Sequence, residues 1–142
     1  RGRGAETLPA SGAALPSVWP LGEKGFVTQA LIEGTSGDDD HPGVDIAVPT
    51  DSYIRAAGGG TVVDLGEDRV YGRFIKIDHG GGYSTMYAHA SLHLVALGQE
   101  VREREVIGLS GSTGRSTAPH LHFEILLNDK AVDPLTMVEQ PS

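Results

Sequence analysis

Two imidazoles separated by one residue, in His120-Leu121-His122, are the first groups in this chain whose spacing suggests chemistry. On a helix, residues two apart point to nearly opposite sides; on a strand they share a face. Leu121, Phe123 and Ile125 supply the apolar stripe that a strand buries, so the strand reading sets His120, His122 and Glu124 together on its other side. A second group is His41-Pro42-Gly43-Val44-Asp45. A straight strand would hold His41 and Asp45 about 13 Å apart, too far to share one ion bonded at about 2 Å. Pro42-Gly43 offers a bend that closes the gap, because Pro fixes φ and Gly accepts unusual values. The third is Tyr83-Ser84-Thr85-Met86-Tyr87-Ala88-His89, where a two-residue period assigns Tyr83, Thr85, Tyr87 and His89 to one face.

Composition narrows the chemistry. The 142 residues contain no cysteine, which removes disulfides, thiol catalysis and thiolate zinc sites and leaves His and carboxylate as the strong metal ligands. Net charge is -8, and no Lys/Arg cluster exists to displace counterions from phosphates, so no nucleic-acid partner is expected. No apolar run approaches membrane-spanning length, and no signal peptide opens the chain.

The elements that must position these groups read as short strands. Residues 1–16 are small, polar and punctuated by Pro, and are expected to form a tail or linker, leaving 17–142 as one domain. Strands are expected at 25–31, 44–48, 60–64, 73–78, 83–89, 106–109 and 120–127, the last being the longest, with a loop over 33–40. Gly80-Gly81-Gly82 predicts a hairpin, and Asn128-Asp129 a tight turn into Ala131-Val132. With 20 glycines and no long helical pattern, the expected fold is mostly β: a compact antiparallel sandwich or half-open barrel with few or no helices.

The succession HPGVDIA, then VYGRFIKIDHGGGYSTMYAH, then GLSGSTGRSTAPHLHFEI resembles the lysostaphin/LytM-type zinc metalloendopeptidases of peptidoglycan, from about His41 to Pro134. The resemblance implies one Zn²⁺ per chain held by His41, Asp45 and His122, with catalytic histidines at His89 and His120. It implies a peptidoglycan peptide as substrate, a place in the bacterial cell envelope (periplasmic or extracellular), and a monomer that an N-terminal region beyond this sequence regulates. Glu124 and Tyr87 are assigned to the surroundings of the metal or to the groove, and His79 to those surroundings or to a structural role; His93 receives no role. Residues 111–117 lack the Lys and spacing of a phosphate loop and read as a groove rim that touches peptide backbone. Asp51-Ser52-Tyr53, Arg104 and Ala118 depart from the family pattern at turns, without touching a ligand position. Two other readings are a non-hydrolytic envelope module that binds wall or a partner hydrolase, and a sugar-phosphotransfer carrier with paired histidines. The retained Asp45 argues against the carrier.

Overall fold

A computed structural model describes residues 15–31 and 42–142. Ten strands are seen there: β1 Phe26–Gln29, β2 Val44–Ala47, β3 Tyr53–Arg55, β4 Gly60–Asp68, β5 Gly72–Gly80, β6 Tyr83–His93, β7 Glu100–Val101, β8 Val106–Ser110, β9 His120–Leu127 and β10 Lys130–Val132. A 3₁₀ turn at Pro134–Thr136 is the only helical element among the described residues. The main path runs β1-β2-β9-β6-β5-β4-β7; β10 pairs with β9, and β8 bridges β3 to β6. All pairings are antiparallel, and the path does not close into a barrel. The chain is therefore mostly β, as its short alternating segments predict. His41 and the expected loop over 33–40 lie outside the described residues.

Strand identity follows the apolar alternation, while strand length does not. The observed β9 matches the expected 120–127, but β6 has 11 residues and is longer. The alternating core of β6 continues into polar Ser91 and His93, which a hydrophobic pattern does not count. β3 and β7 have only 3 and 2 residues, too short to show a period. The two hairpins expected from turn chemistry form: Gly80, Gly81 and Gly82 all take positive φ, as do Asn128 and Asp129 (51° and 67°) between β9 and β10.

The core lies on one face of the central strands. Val44 and Ile46 of β2, Ile75 and Ile77 of β5, Tyr87 of β6, and Leu121, Phe123 and Ile125 of β9 are each fully buried. They join one cluster with Trp19, Leu21, Ile54 and Ile107. Burial of a single large apolar side chain contributes about 1.5–3 kcal/mol, so this stripe is what fixes register. Register in turn fixes the opposite face: His122 pairs with Asp45 of β2 on one side and with Ala88 of β6 on the other. Directly opposed residues share a face, so His122 and Asp45 must meet.

Gly43 shows how closely β2 approaches β9. A Cβ there would collide with the Phe123 carbonyl and press on Glu124 Cγ, so only Gly lets the strand enter the sheet at this point.

Candidate active site

His122 is the centre of the site. Its Nδ1 lies 2.8 Å from Asp45 Oδ1 and its Nε2 lies 2.8 Å from Glu124 Oε2. Carboxylate oxygens only accept, so both ring nitrogens donate and the imidazole is cationic as it stands. Burial pulls its pKa down, but its hydrogen bonds to Asp45 and Glu124 and the charges of these carboxylates prevail and lift it to about 9. Glu124 is 3% exposed and so forms a nearly dry backing. A carboxylate on Nε2 leaves Nδ1 as the nitrogen that faces Asp45, the arrangement that orients a metal-ligating His.

Tyr71 closes this cluster from above. Its ring stacks on His122 at 5.8 Å and 28°, and its hydroxyl donates to Glu124 Oε2 at 3.2 Å. Burial, then the charge and hydrogen bond of Glu124, push the phenol up to about 12, so it remains a donor at neutral pH. No residue pattern around Tyr71 marks it as part of a site. The only signal was its place before Gly72 at the tip of the β4–β5 hairpin.

His120 stands next to His122 on the same face, with Nε2 3.7 Å from Asp45 Oδ1. Its Nδ1 lies 2.9 Å from the Ala118 carbonyl, which can only accept. Nδ1 therefore carries a hydrogen, and in that tautomer the lone pair lies on Nε2, on the side of Asp45. His89 repeats the device: its Nδ1 is 2.7 Å from the Thr113 carbonyl, so its Nε2 is also left with a free lone pair. The His89 ring lies 4.6 Å from that of His120 and 6.2 Å from that of His122. Burial lowers the His89 pKa, followed by an opposing contribution from its hydrogen bond to the Thr113 carbonyl and further lowering by the neighbouring histidines. Neutral is its resting form.

His89 reaches this face by breaking the strand period. Alternation assigns it to the side of Thr85 and Tyr87. In the structure His89 takes φ 65°, and the β5–β6 register slips between Ile75–Tyr87 and Arg73–Ala90, so three steps on β6 oppose two on β5. This bulge turns the imidazole through to the site.

Two expected site residues lie elsewhere. Tyr87 does not line the groove: it is fully buried against Phe123 at 5.4 Å, and its hydroxyl accepts from Ala57 N–H and Thr85 Oγ1. His79 sits in the same buried network, between Gly59 O and Thr85 Oγ1, both at 2.8 Å. Both sit on the core side of the sheet, His79 two residues on from Ile77 and Tyr87 two on from Thr85.

The loop over 111–117 completes the site. Thr113 accepts from Arg73 N–H at 3.0 Å and donates to the Ala90 carbonyl at 2.7 Å, while its own carbonyl holds His89. Thr113 is thus a positioning residue that the reading of this loop as a peptide-contacting rim passed over. Together these elements enclose a cavity of about 330 Å³ lined by Asp45, Tyr71, His89, Arg115, His120 and His122, among others. Among the described residues no three metal-ligating side chains converge. Asp45 and His122 are two of the expected three ligands, and His41 lies outside those residues. The aimed Nδ1–Oδ1 pair, the carboxylate behind Nε2 and the N/O donor types suit Zn²⁺.

Residues 39–134 match the model of Peptidase family M23. The chain is 43% identical over 97 residues to the DD-carboxypeptidase/endopeptidase Mpg of Neisseria meningitidis, covering 68% of this chain and 22% of that protein. It is 40% identical over 95 residues to the peptidoglycan DD-endopeptidase ShyA of Vibrio cholerae, covering 67% and 22%. It therefore spans about a fifth of the length of these relatives. A solved zinc-containing peptidase from Vibrio cholerae superposes with a TM-score of 0.78 at 30% identity, over 87% of this chain and 39% of that one.

Proposed function

Because this chain belongs to peptidase family M23, we propose that it is a zinc-dependent endopeptidase that hydrolyses peptide cross-links or bridges of bacterial peptidoglycan. The observation that carries this reading is the convergence of His89 and His120, each with a free Nε2, beside the Asp45–His122 pair. The names of the peptidoglycan and zinc-containing relatives support the substrate and the metal.

In this reading His41, Asp45 and His122 hold one Zn²⁺. When bound, the ion acidifies a water toward neutral pH and polarises the scissile carbonyl. The remaining roles belong to the chain. Asp45 and two neutral imidazoles would leave a net charge near +1 on the site. One of His89 and His120 takes a proton from the attacking water at its Nε2, and once cationic it returns that proton to the leaving amine nitrogen. The other presents its Nε2 to the same space and, when protonated, donates to the developing oxyanion. Backbone carbonyls at Thr113 and Ala118 hold both rings in the required tautomer throughout. Glu124 and Tyr71 keep Nδ1 of His122 turned to the metal position. We take residues 17–142 as the catalytic unit, acting in the cell envelope where its substrate lies.

Incubating the zinc-loaded chain with purified sacculi tests the proposal. Expected are loss of turbidity, arrest by a chelator, recovery on zinc addition, and inactivity of His120→Ala with its zinc retained. Intact sacculi in the presence of fully zinc-loaded wild type would refute hydrolysis and favour the non-catalytic envelope module.

A further inference from the structure

Arg115 is the only Lys or Arg that lines the catalytic cavity among the described residues. The chain carries 19 acidic residues and a net charge of -8, so a guanidinium has many potential partners. Arg73 pairs with Glu67 and Arg104 with Glu103, whereas the exposed Arg69 and Arg102 do not line the cavity. Arg115 pairs with none of the described carboxylates. The two acids nearest the chemistry, Asp45 and Glu124, are both committed to His122.

The side chain is exposed, but its backbone is fixed. Arg115 N–H donates to the Val70 carbonyl at 3.0 Å, which ties the loop to the β4–β5 hairpin. One residue earlier, Gly114 (φ 76°) lies so close to Gly72 that a Cβ would collide with its backbone. A planar, five-donor cation with no carboxylate partner among the described residues is therefore presented from a braced loop to the cavity in which His89 and His120 converge. Guanidinium suits bidentate recognition of a carboxylate.

We propose that Arg115 is a specificity residue that binds a free carboxylate of the peptide lying in this cavity. The inference rests on the peptidase reading and names the charge its substrate must carry. Peptidoglycan peptides offer that group in two places: the C-terminal α-carboxylate of a stem, and the free carboxylate of a diamino acid at the cross-link. Either source meets the same chemistry at Arg115.

Binding of short stem peptides that contain no cross-link bond measures this without requiring cleavage. Three peptides are titrated into zinc-loaded wild type: one with both carboxylates free, one amidated at its C-terminus, and one amidated on the diamino acid. The free peptide should bind about tenfold more tightly than one of the amides, and that amide identifies the source. Arg115→Gln should erase the difference and leave affinity for that amide unchanged, with an unaltered melting temperature. Arg115→Lys should restore only part of it. Equal affinities in wild type, no measurable binding of the free peptide, or a difference that survives Arg115→Gln would overturn the proposal. Cleavage of cross-linked dimers is scored separately. Cutting without carboxylate preference sinks this inference alone, whereas Arg115-dependent binding without cutting sinks hydrolysis alone.

Discussion

Tyr87 and His89 stand two residues apart on β6 yet point to opposite faces of the sheet. Tyr87 is fully buried against Phe123, while His89 lies 4.6 Å from His120 across the cavity. The bulge that separates them holds His89 at φ 65°, a conformation that Gly adopts more readily than any residue with a Cβ. A position where backbone preference calls for Gly carries an imidazole instead, which fits a site that trades stability for chemistry. His89→Gly should keep zinc content and the melting temperature, or raise the latter slightly, and cut kcat by about 10²–10⁴-fold. A variant that loses zinc along with activity would place His89 among the ligands instead.

Glu124 holds Nε2 of His122, and Tyr71 holds Glu124. Glu124→Gln should weaken zinc affinity about 10–100-fold in competition with a chromogenic chelator. Tyr71→Phe keeps the stacked ring and removes only the hydroxyl, so its loss should be smaller than that of Tyr71→Leu. Equal affinities for wild type and Glu124→Gln would mean that the carboxylate does not orient the ligand.

Gly114 and Gly72 are in backbone contact, both at positive φ, where the 111–117 loop meets the hairpin. Gly114→Ala adds a Cβ with no room and should cost about 1–3 kcal/mol in chemical denaturation. Because Thr113 holds His89 from this loop, kcat should fall as well, even at temperatures where the variant is fully folded. Full activity in a destabilised variant would show that the loop does not position His89.

His79 supplies the pH dependence. Burial lowers its pKa below the ordinary 6.5, against opposing contributions from the Gly59 carbonyl and Asp78. The unfolded chain therefore takes up a proton as pH drops below about 6.5, while the folded chain resists until its own lower value. Stability from this group is present above 6.5 and is lost as pH falls through the folded pKa. His79→Gln cannot titrate, so the stability gap between wild type and variant should shrink from pH 7.5 to pH 5 in zinc-saturated thermal melts. A gap that widens toward acid would mean that the buried ring is charged.

The face of β9 was legible because a strict two-residue period carries it: Leu121, Phe123 and Ile125 went to the core, and His120, His122 and Glu124 to the site. Asp45 was legible as a polar residue between Val44 and Ile46. The bulge at His89 was not, since a register slip depends on hydrogen bonds to β5 and β8 rather than on side-chain pattern. For the same reason pattern alone draws Tyr87 toward the site, whereas its hydroxyl belongs to a buried network with Thr85 and His79. Tyr71 acts through contacts with His122 and Glu124 on β9, and Thr113 through a hydrogen bond from Arg73 about 40 residues away, neither of which any local window contains. Gly43 is the bend that Pro42-Gly43 predicts, and its lack of a side chain also admits β2 against Phe123.

Mass analysis of the products from a purified cross-linked peptidoglycan dimer tests the central claim most directly. With one Zn²⁺ per chain, the dimer should gain one water and split into two stem peptides, and a chelator should stop the reaction. An unchanged dimer in the presence of the same zinc-loaded protein would contradict the account.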